Sequence, residues 1–377
     1  MRYSVFGLQQ YNVGKVNLKK QTRSIDNKLL YLILILTTLG LIAVADASAP
    51  QALNAFGDKY YFVKQQAIWG VFGLVLMFLV SRLKPSFWEK IATPLFIASL
   101  LPLIVVLIPG IGTKVLGARR WLIFGPISIQ PSELIKLTLA IYLAKVASKD
   151  KSSLAYFLPV AGVAALVMAQ PDLGTALVIL GISFMQIFMS GVNLLHILAA
   201  VIGGGGIGFL YAITSQYRRA RLLTFLAQSQ DPLGRDYHIR QILLALGSGG
   251  LFGVGLAQSR QKFLFLPEAA TDSIFAIIAE EIGFIGAVAL LILLGFFIFK
   301  GLKIARDAPD KFSQILGIGI VSWIGGQIIL NIGSMVALVP LTGVPLPFFS
   351  YGGSALTMIL VACGILLGIS RNIHERK

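Results

Sequence analysis

Residues 312–370 read FSQILGIGIVSWIGGQIILNIGSMVALVPLTGVPLPFFSYGGSALTMILVACGILLGIS, a run without Asp, Glu, Lys or Arg. A membrane-spanning helix needs about 20 mainly apolar residues, so this run is too long for one helix. Residues 340–353 contain three prolines and a pair of adjacent glycines, which interrupt helices. The run therefore predicts two membrane helices separated by this segment.

The composition of the whole chain supports a membrane protein. Of its 377 residues, 56% are hydrophobic and 13% are charged, and the mean hydropathy is +0.82. Soluble domains are about 25% charged. A chain with about half that share has too few charged residues to cover a water-facing surface, which excludes the soluble globular class. The 39 glycines follow no triplet period, and apolar residues dominate, which excludes fibrous and disordered classes.

Further apolar segments precede this run, and together they predict ten spans: 29–45, 65–81, 91–109, 131–146, 152–171, two within 173–217, 282–299 and two within 312–370. The predicted fold is an all-α polytopic membrane protein with ten transmembrane helices. Residues 1–28 form a cytoplasmic tail, 29–370 the membrane domain and 371–377 a short cytoplasmic tail. No cleavage site precedes the first span, which we expect to stay as an anchor.

The distribution of basic residues predicts the orientation. The formal net charge is +16, and with both termini inside, 19 Lys and Arg lie in inner segments against 5 in the short outer loops. This asymmetry follows the positive-inside rule and places both termini in the cytoplasm. The rule accounts for much of the positive charge, so no nucleic-acid partner is expected.

The predicted loop between helices 7 and 8, residues 218–281, is the longest outer segment. It mixes seven basic residues with six acidic ones, and the stretch 241–256 is apolar and punctuated by glycine. Such a stretch predicts short helices at the membrane interface. A long charged loop in a chain poor in charge is the first place to look for function.

Several other charges lie at unusual positions. Arg119 and Arg120 follow the third span on the outer side, against the positive-inside trend, and Asp172 lies between the fifth and sixth spans. Glu133 and Lys136 lie within the fourth span, three residues apart, so they share a helix face and can pair. Ionisable groups at membrane depth are candidates for function, although this pair can equally serve to hold helices together.

An ordered set of short motifs identifies a family. The motifs are Gly117-Ala118-Arg119-Arg120-Trp121, Gln130-Pro131-Ser132-Glu133, Gln170-Pro171-Asp172-Leu173-Gly174-Thr175, Gly247-Ser248-Gly249-Gly250, Leu266-Pro267-Glu268-Ala269-Ala270-Thr271-Asp272, Ala279-Glu280-Glu281-Ile282-Gly283 and Pro345-Leu346-Pro347-Phe348-Phe349-Ser350-Tyr351-Gly352-Gly353-Ser354. Together they resemble the SEDS family (shape, elongation, division and sporulation) over nearly the whole chain. The strings at 237–241, 259–262 and 267–269 resemble its cell-division branch, FtsW, more than RodA.

The resemblance implies an activity and partners. Members of this family polymerise lipid II into glycan strands beside a class B penicillin-binding protein that cross-links them. It further implies a bacterial cytoplasmic membrane location, other division proteins as partners, and septal synthesis. Two positions depart from the family pattern: Ala270, where the family usually has His, and Ser273, where Phe is common.

The resemblance and the chemistry of the reaction imply roles for individual residues. Asp272 would be the catalytic base, a role suited to a carboxylate at the membrane edge, although on local sequence it can also cap the helix that begins near Ser273. Arg119, Arg120 and Lys262 would bind the departing pyrophosphate. Arg120 can instead hold lipid headgroups.

The remaining candidates and a cofactor complete the expected site. Glu133, Lys136 and Asp172 would line a polar cavity that contacts substrate, and Glu268 is a weaker candidate that can be a solvated loop charge. A divalent cation, Mg²⁺ or Mn²⁺, would share the pyrophosphate charge, bound mainly by phosphate and water with one or two carboxylates. The sequence shows no metal site.

Two other functions fit a ten-span protein with buried charges. One is a lipid II flippase, which needs polar cavity residues but no base. The other is a non-catalytic scaffold for the penicillin-binding protein. Asp272 separates them, because a polymerase needs a base at the outer edge.

Overall fold

The computed structural model describes residues 25–115, 117–125, 127–149, 152–214, 237–263 and 265–373. Most of the predicted N-terminal tail, part of the predicted long loop and the last four residues lie outside this range. Within it the helices are α1 (Asn27–Phe56), α2 (Tyr61–Ser81), α3 (Pro85–Val105), α4 (Pro131–Ser148), α5 (Leu154–Ala169), α6 (Leu173–Met189), α7 (Leu194–Thr214), α8 (Tyr237–Ser248), α9 (Ile274–Arg306), α10 (Lys311–Met335) and α11 (Gly353–Ile373). Three strands lie between α3 and α4: β1 (Thr113–Val115), β2 (Ala118–Phe124) and β3 (Ile127–Ile129).

The helical membrane fold predicted from sequence is confirmed. Six helices (α1, α2, α3, α9, α10 and α11) have the length and composition of membrane spans, and α5, α6 and the first part of α7 are shorter apolar helices. The helix α4 lies where the fourth span was predicted and carries Glu133, Lys136 and Lys145. Each predicted span thus corresponds to one helix, while ten membrane crossings stay a prediction.

Two helices are longer than the charge-free segments that predicted them. The helix α1 continues past Asp46 to Phe56, and α9 begins at Ile274, eight residues before the predicted span. Asp46 and Glu281 inside these helices are both paired with Lys262, and Glu280 accepts hydrogen bonds from the Ser259 hydroxyl and the Arg260 N–H. Segments defined by the absence of charge are therefore shorter than the helices at both places.

The helix α9 is broken at Gly283, whose φ of 70° lies in the left-handed region. The backbone N–H of Phe284 donates to Gly250 rather than to the previous turn, and the freed carbonyl of Glu280 accepts from Val254. A Cβ at position 283 would collide with the backbone at Phe252 and Gly253, so glycine is required. The segment after α8 therefore forms backbone hydrogen bonds with α9. These bonds satisfy the N–H and carbonyl groups that the kink leaves without helical partners.

The strands form a small antiparallel sheet in the order β1-β2-β3. Lys114 lies opposite Arg119, and Ile123 lies opposite Ser128. The sequence predicted only a short loop here, because two of the three strands have three residues each and leave little alternation to detect. The sheet lies between the C-terminus of α3 and the N-terminus of α4, and its strand β2 carries Arg119 and Arg120.

The interior is built around α10 and α11, which bury most of their residues. The helix α10 packs against α4, α6 and α9, and α11 packs along α2. The segment between α10 and α11, residues 336–352, is irregular as predicted. Gln66 from α2 donates to the Ser350 carbonyl and accepts from the Gly352 N–H, so this segment is held from a neighbouring helix.

Candidate active site

Asp272 lies in the turn immediately before α9 and is half-buried. Ser273, not Asp272, occupies the N-cap position, and Ser273 makes no side-chain capping bond. The Ser273 hydroxyl instead lies 2.9 Å from Nε2 of His238 on α8. The N-cap role that the sequence left open for a carboxylate therefore belongs to another residue.

The backbone around Asp272 is held by distant parts of the chain. The carbonyl of Ala270 accepts from the Tyr351 N–H at 2.8 Å, and the carbonyl of Thr271 accepts from the Ser350 hydroxyl at 2.6 Å. The carbonyl of Asp272 accepts from Nδ2 of Asn331 at 2.7 Å. Asn331 was not predicted as a site residue, since a lone polar residue in an apolar run gives no signal of its partner.

Glu268 lies on the same turn as Asp272, four residues earlier. It is exposed, has a φ of 52°, and its carbonyl accepts from the N–H groups of Thr271 and Ser273, both at 3.1 Å. Its carboxylate accepts from the Thr271 hydroxyl at 2.7 Å. Glu268 thus shapes the turn, and its carboxylate is near enough to solvent to meet a ligand.

The second cluster joins β2 to the turn between α5 and α6. The Nε of Arg120 lies 3.6 Å from the Asp172 carboxylate, and its guanidinium also donates to the carbonyls of Gln170 and Pro171. Asp172 is buried and caps α6 by accepting from the N–H and hydroxyl of Thr175, at 3.1 and 2.9 Å. Arg120 is thereby fixed within the protein, with 30% of its side chain exposed.

Arg119 precedes Arg120 on β2 and is also half-buried. Successive side chains of a strand point to opposite faces, so the two guanidinium groups serve different sides of the sheet. Arg119 lies opposite Lys114 in the strand register, which concentrates positive charge on that part of the sheet.

The first turn of α6, which Asp172 caps, and the Asp272 turn contact the same stretch, residues 342–344. A Cβ at Gly343 would lie 3.2 Å from Oδ2 of Asp272, and a Cβ at Gly174 would lie 2.7 Å from the Val344 side chain. Gly343 has a φ of 69°, which favours glycine. One short segment therefore contacts both the candidate base and the first turn of α6, whose capping residue Asp172 pairs with Arg120.

Glu133 and Lys136 form the buried pair that their spacing predicted, with Nζ to Oε1 at 2.8 Å and both residues 1% exposed. The Lys136 ammonium also lies 5.1 Å from the ring centroid of Trp323 on α10. The second carboxylate oxygen of Glu133 and the Ser132 hydroxyl are buried without a partner among the described residues. Buried oxygens without a protein partner are commonly satisfied by ordered water, which is consistent with the polar cavity that the sequence predicted around this pair.

Lys262 lies in a third cluster, beside the kink of α9. Its ammonium lies 2.7 Å from Asp46 on α1 and 2.7 Å from Glu281. Glu281 also accepts from the N–H groups of Ala257 and Ser259, both at 3.1 Å. Two carboxylates already neutralise Lys262, and a contact with pyrophosphate stays a prediction.

The comparisons with known proteins decide the family. Residues 27–375 match the model of the FtsW/RodA/SpoVE family, described as cell cycle protein. The chain belongs to this family. Among relatives, it is 40% identical over 356 residues to stage V sporulation protein E of Bacillus subtilis, covering 92% of this chain and 97% of that protein.

Other family members support the assignment. The chain is 36% identical over 364 residues to the probable peptidoglycan glycosyltransferase FtsW of Geobacter metallireducens, covering 94% of this chain and 97% of that one. RodA, the rod shape determining protein of Thermus thermophilus, superposes with a TM-score of 0.68 at 30% identity, covering 92% and 97% of the two chains. A chain from a structural study of polymerization and crosslinking by a peptidoglycan synthase complex gives a TM-score of 0.76, also at 30% identity, covering 93% and 98%. The resemblance read from the motifs is confirmed.

Proposed function

We propose that this family member is a peptidoglycan glycosyltransferase that polymerises lipid II at the outer face of the bacterial cytoplasmic membrane. Its relatives include proteins named for this activity. The observation that carries the proposal is the Asp272 turn, because its half-buried carboxylate lies beside Gly343, while the neighbouring Val344 lies beside the first turn of α6, whose capping residue Asp172 pairs with Arg120.

The reaction joins the C4 hydroxyl of one sugar to C1 of another. Asp272 takes the hydroxyl proton as the new C–O bond forms, and the pyrophosphate leaves with the electrons of the broken C1–O bond. The attack comes from the face opposite the leaving group, which inverts C1 and gives a β-1,4 linkage.

The pyrophosphate requires positive charge at its oxygens. Arg120 is already oriented by Asp172 and by two backbone carbonyls, and a guanidinium fork matches phosphate oxygens. Arg119 lies on the other face of the same strand, where it adds to the positive charge of the sheet beside Lys114 without sharing the contacts of Arg120. We assign Glu133, Lys136 and Asp172 to the polar interior beneath this site, with Lys262 at the kink as a more distant substrate contact.

A divalent cation fits this donor set only in part. The described residues contain no group of three or more His, Cys, Asp or Glu that could hold a metal ion. Mg²⁺ can be bound by phosphate and water with one or two carboxylates, and the exposed Glu268, on the same turn as Asp272, would supply one. Such an ion, Mg²⁺ or Mn²⁺, would neutralise the pyrophosphate.

We further propose the cellular setting that the sequence predicted. The termini are cytoplasmic, and the partner is a class B penicillin-binding protein transpeptidase. The protein acts with other division proteins in septal peptidoglycan synthesis. The resemblance to a chain of a peptidoglycan synthase complex supports the partner.

The test is lipid II polymerisation by the full chain co-purified with its class B partner, with transpeptidation blocked by a β-lactam. Asp272→Asn should make no glycan, and a chelator should stop synthesis if a divalent cation takes part. The matched control is Asp310→Asn, because Asp310 also precedes a helix and caps it through Ser313, and Asn caps equally well.

The outcome also separates the competing functions. Glycan from the wild type and from Asp310→Asn, with none from Asp272→Asn, supports the polymerase. Translocation of labelled lipid II without glycan indicates a flippase. Partner binding without either activity indicates a scaffold.

A further inference from the structure

The turn that carries Asp272 is fixed through three successive carbonyl groups. Tyr351, Ser350 and Asn331 each bind one of the carbonyls of Ala270, Thr271 and Asp272, as described above. Two of these donors lie in segment 336–352 and the third on α10. Backbone groups bound in this way restrict the conformations of a turn, so the direction of the Asp272 side chain is set by residues outside its own loop.

Asn331 has the central place in this arrangement. It is 1% exposed, and its Nδ2 donates both to the Asp272 carbonyl at 2.7 Å and to the Val344 carbonyl at 2.8 Å. One amide nitrogen therefore joins the backbone of the candidate base to the short stretch that the first turn of α6 contacts. A carboxylate at this position would face two carbonyl oxygens without a proton to donate, so the chemistry requires an amide.

We propose that Asn331 is the positioning residue of the reaction. It holds the Asp272 backbone at a fixed distance from Val344, so that the carboxylate meets the acceptor hydroxyl in reactive geometry. This inference rests on the proposed function, since it assigns a task within that same site. Misplacing a reacting group by about 1 Å can lower a rate about 100-fold, which sets the expected effect.

The chain contains a matched control for a buried amide. Gln186 on α6 is 0% exposed, and its Nε2 donates to the carbonyls of Ala140 and Ile315, at 2.9 and 3.0 Å. It has the same bonding pattern as Asn331, but it joins α4 to α10 away from the Asp272 turn. If both amides merely stabilise the bundle, truncating either one should have the same kind of effect.

The experiment compares Asn331→Ala and Gln186→Ala in the full chain, reconstituted in lipid nanodiscs with the class B partner. The readouts are kcat and KM for lipid II polymerisation and the Tm of each variant. We expect both variants to lower Tm, while Asn331→Ala alone lowers kcat about 100-fold with little change in KM. Equal kcat for the two variants, or a loss of kcat that follows Tm in both, would overturn the proposal.

A second pair of variants covers the case in which Asn331→Ala does not fold. Ser350→Ala removes the donor to the Thr271 carbonyl, and Ser350→Thr keeps the hydroxyl. We expect a smaller loss of kcat in Ser350→Ala and recovery in Ser350→Thr. Failure of the threonine to restore kcat in a folded protein would count against positioning. A wild type that makes no glycan, with Asp272→Asn unchanged from it, would overturn the proposed function and this inference with it.

Discussion

Lys136 and Lys262 are both buried lysines, but their partners come from different distances in the chain. Lys136 pairs with Glu133 one turn away on the same helix. Lys262 pairs with Asp46, 216 residues away on α1, and with Glu281 on α9. The first pair is a property of one helix, whereas the second joins three elements that no local pattern relates.

The difference concerns what each pair holds in place. The Glu133–Lys136 pair neutralises α4 so that it can lie in the interior against Trp323. The Lys262 cluster fastens the loop after α8 to the kink of α9, since Glu280 and Glu281 together bind the N–H groups of Ala257, Ser259 and Arg260. Loss of Lys262 should therefore affect the tertiary structure more than loss of Lys136.

The largest effect is expected for Lys262→Met. It leaves the buried Glu281 and the half-buried Asp46 without their cation, and breaking a buried ion pair costs about 3–5 kcal/mol for a single orphaned charge. We expect the free energy of unfolding to fall by more than that range, and we expect a protease to cleave the loop after α8 faster. The measurement is the Tm and the cleavage rate of the full chain in nanodiscs.

Arg260→Met provides the control, because Arg260 is an exposed cation two residues away. It should leave both quantities nearly unchanged. A Tm for Lys262→Met that matches this control would show that the three-element cluster contributes little.

A smaller effect is expected for Lys136→Met, about 3–5 kcal/mol, because only Glu133 is left unpaired. The double variant Glu133→Gln with Lys136→Met removes both charges and should recover most of that loss. The measurement is the free energy of unfolding of the two single variants and the double variant. A double variant as unstable as Lys136→Met would mean that the lysine stabilises α4 through Trp323 rather than through Glu133.

The smallest effect is expected at the other end of α1, where Asp26 pairs with Lys300 of α9 at 2.9 Å. Burial raises the pKa of Asp26, but the hydrogen bonds from Lys300 and from the Leu29 N–H outweigh it and hold this pKa below its usual range. The pair therefore stabilises the protein above the unfolded pKa of about 4, and this contribution is lost as the pH falls through the lower folded pKa.

Asp26→Asn should cost about 1 kcal/mol or less at pH 7, because the pair is partly exposed. The Tm difference between wild type and variant should shrink as the pH falls below about 4. A difference that is constant from pH 7 to pH 3 would contradict a contribution from the ionised carboxylate.

The interior pair and the candidate base were predicted with different kinds of information. Glu133 and Lys136 could be paired from their spacing alone, because a helix has a known period. Asp272 was selected through the motif around it, and its neighbours Asn331, Ser350 and His238 were not. Their contacts join residues that are 35 to 79 positions apart, and apolar surroundings give no signal of which backbone carbonyl a polar side chain will meet.

The sequence by itself determined the membrane class, the position of each predicted helix and the irregular segment before α11, because hydropathy and proline placement are local properties. It also identified the family through motifs in a fixed order. Only the tertiary structure decided that Glu281 and Lys262 belong with Asp46, that the α9 kink takes its hydrogen bonds from the segment after α8, and that Asn331 joins Asp272 to Val344. These are long-range polar contacts, and packing of the helices, not any repeat along the chain, brings the partners within bonding distance.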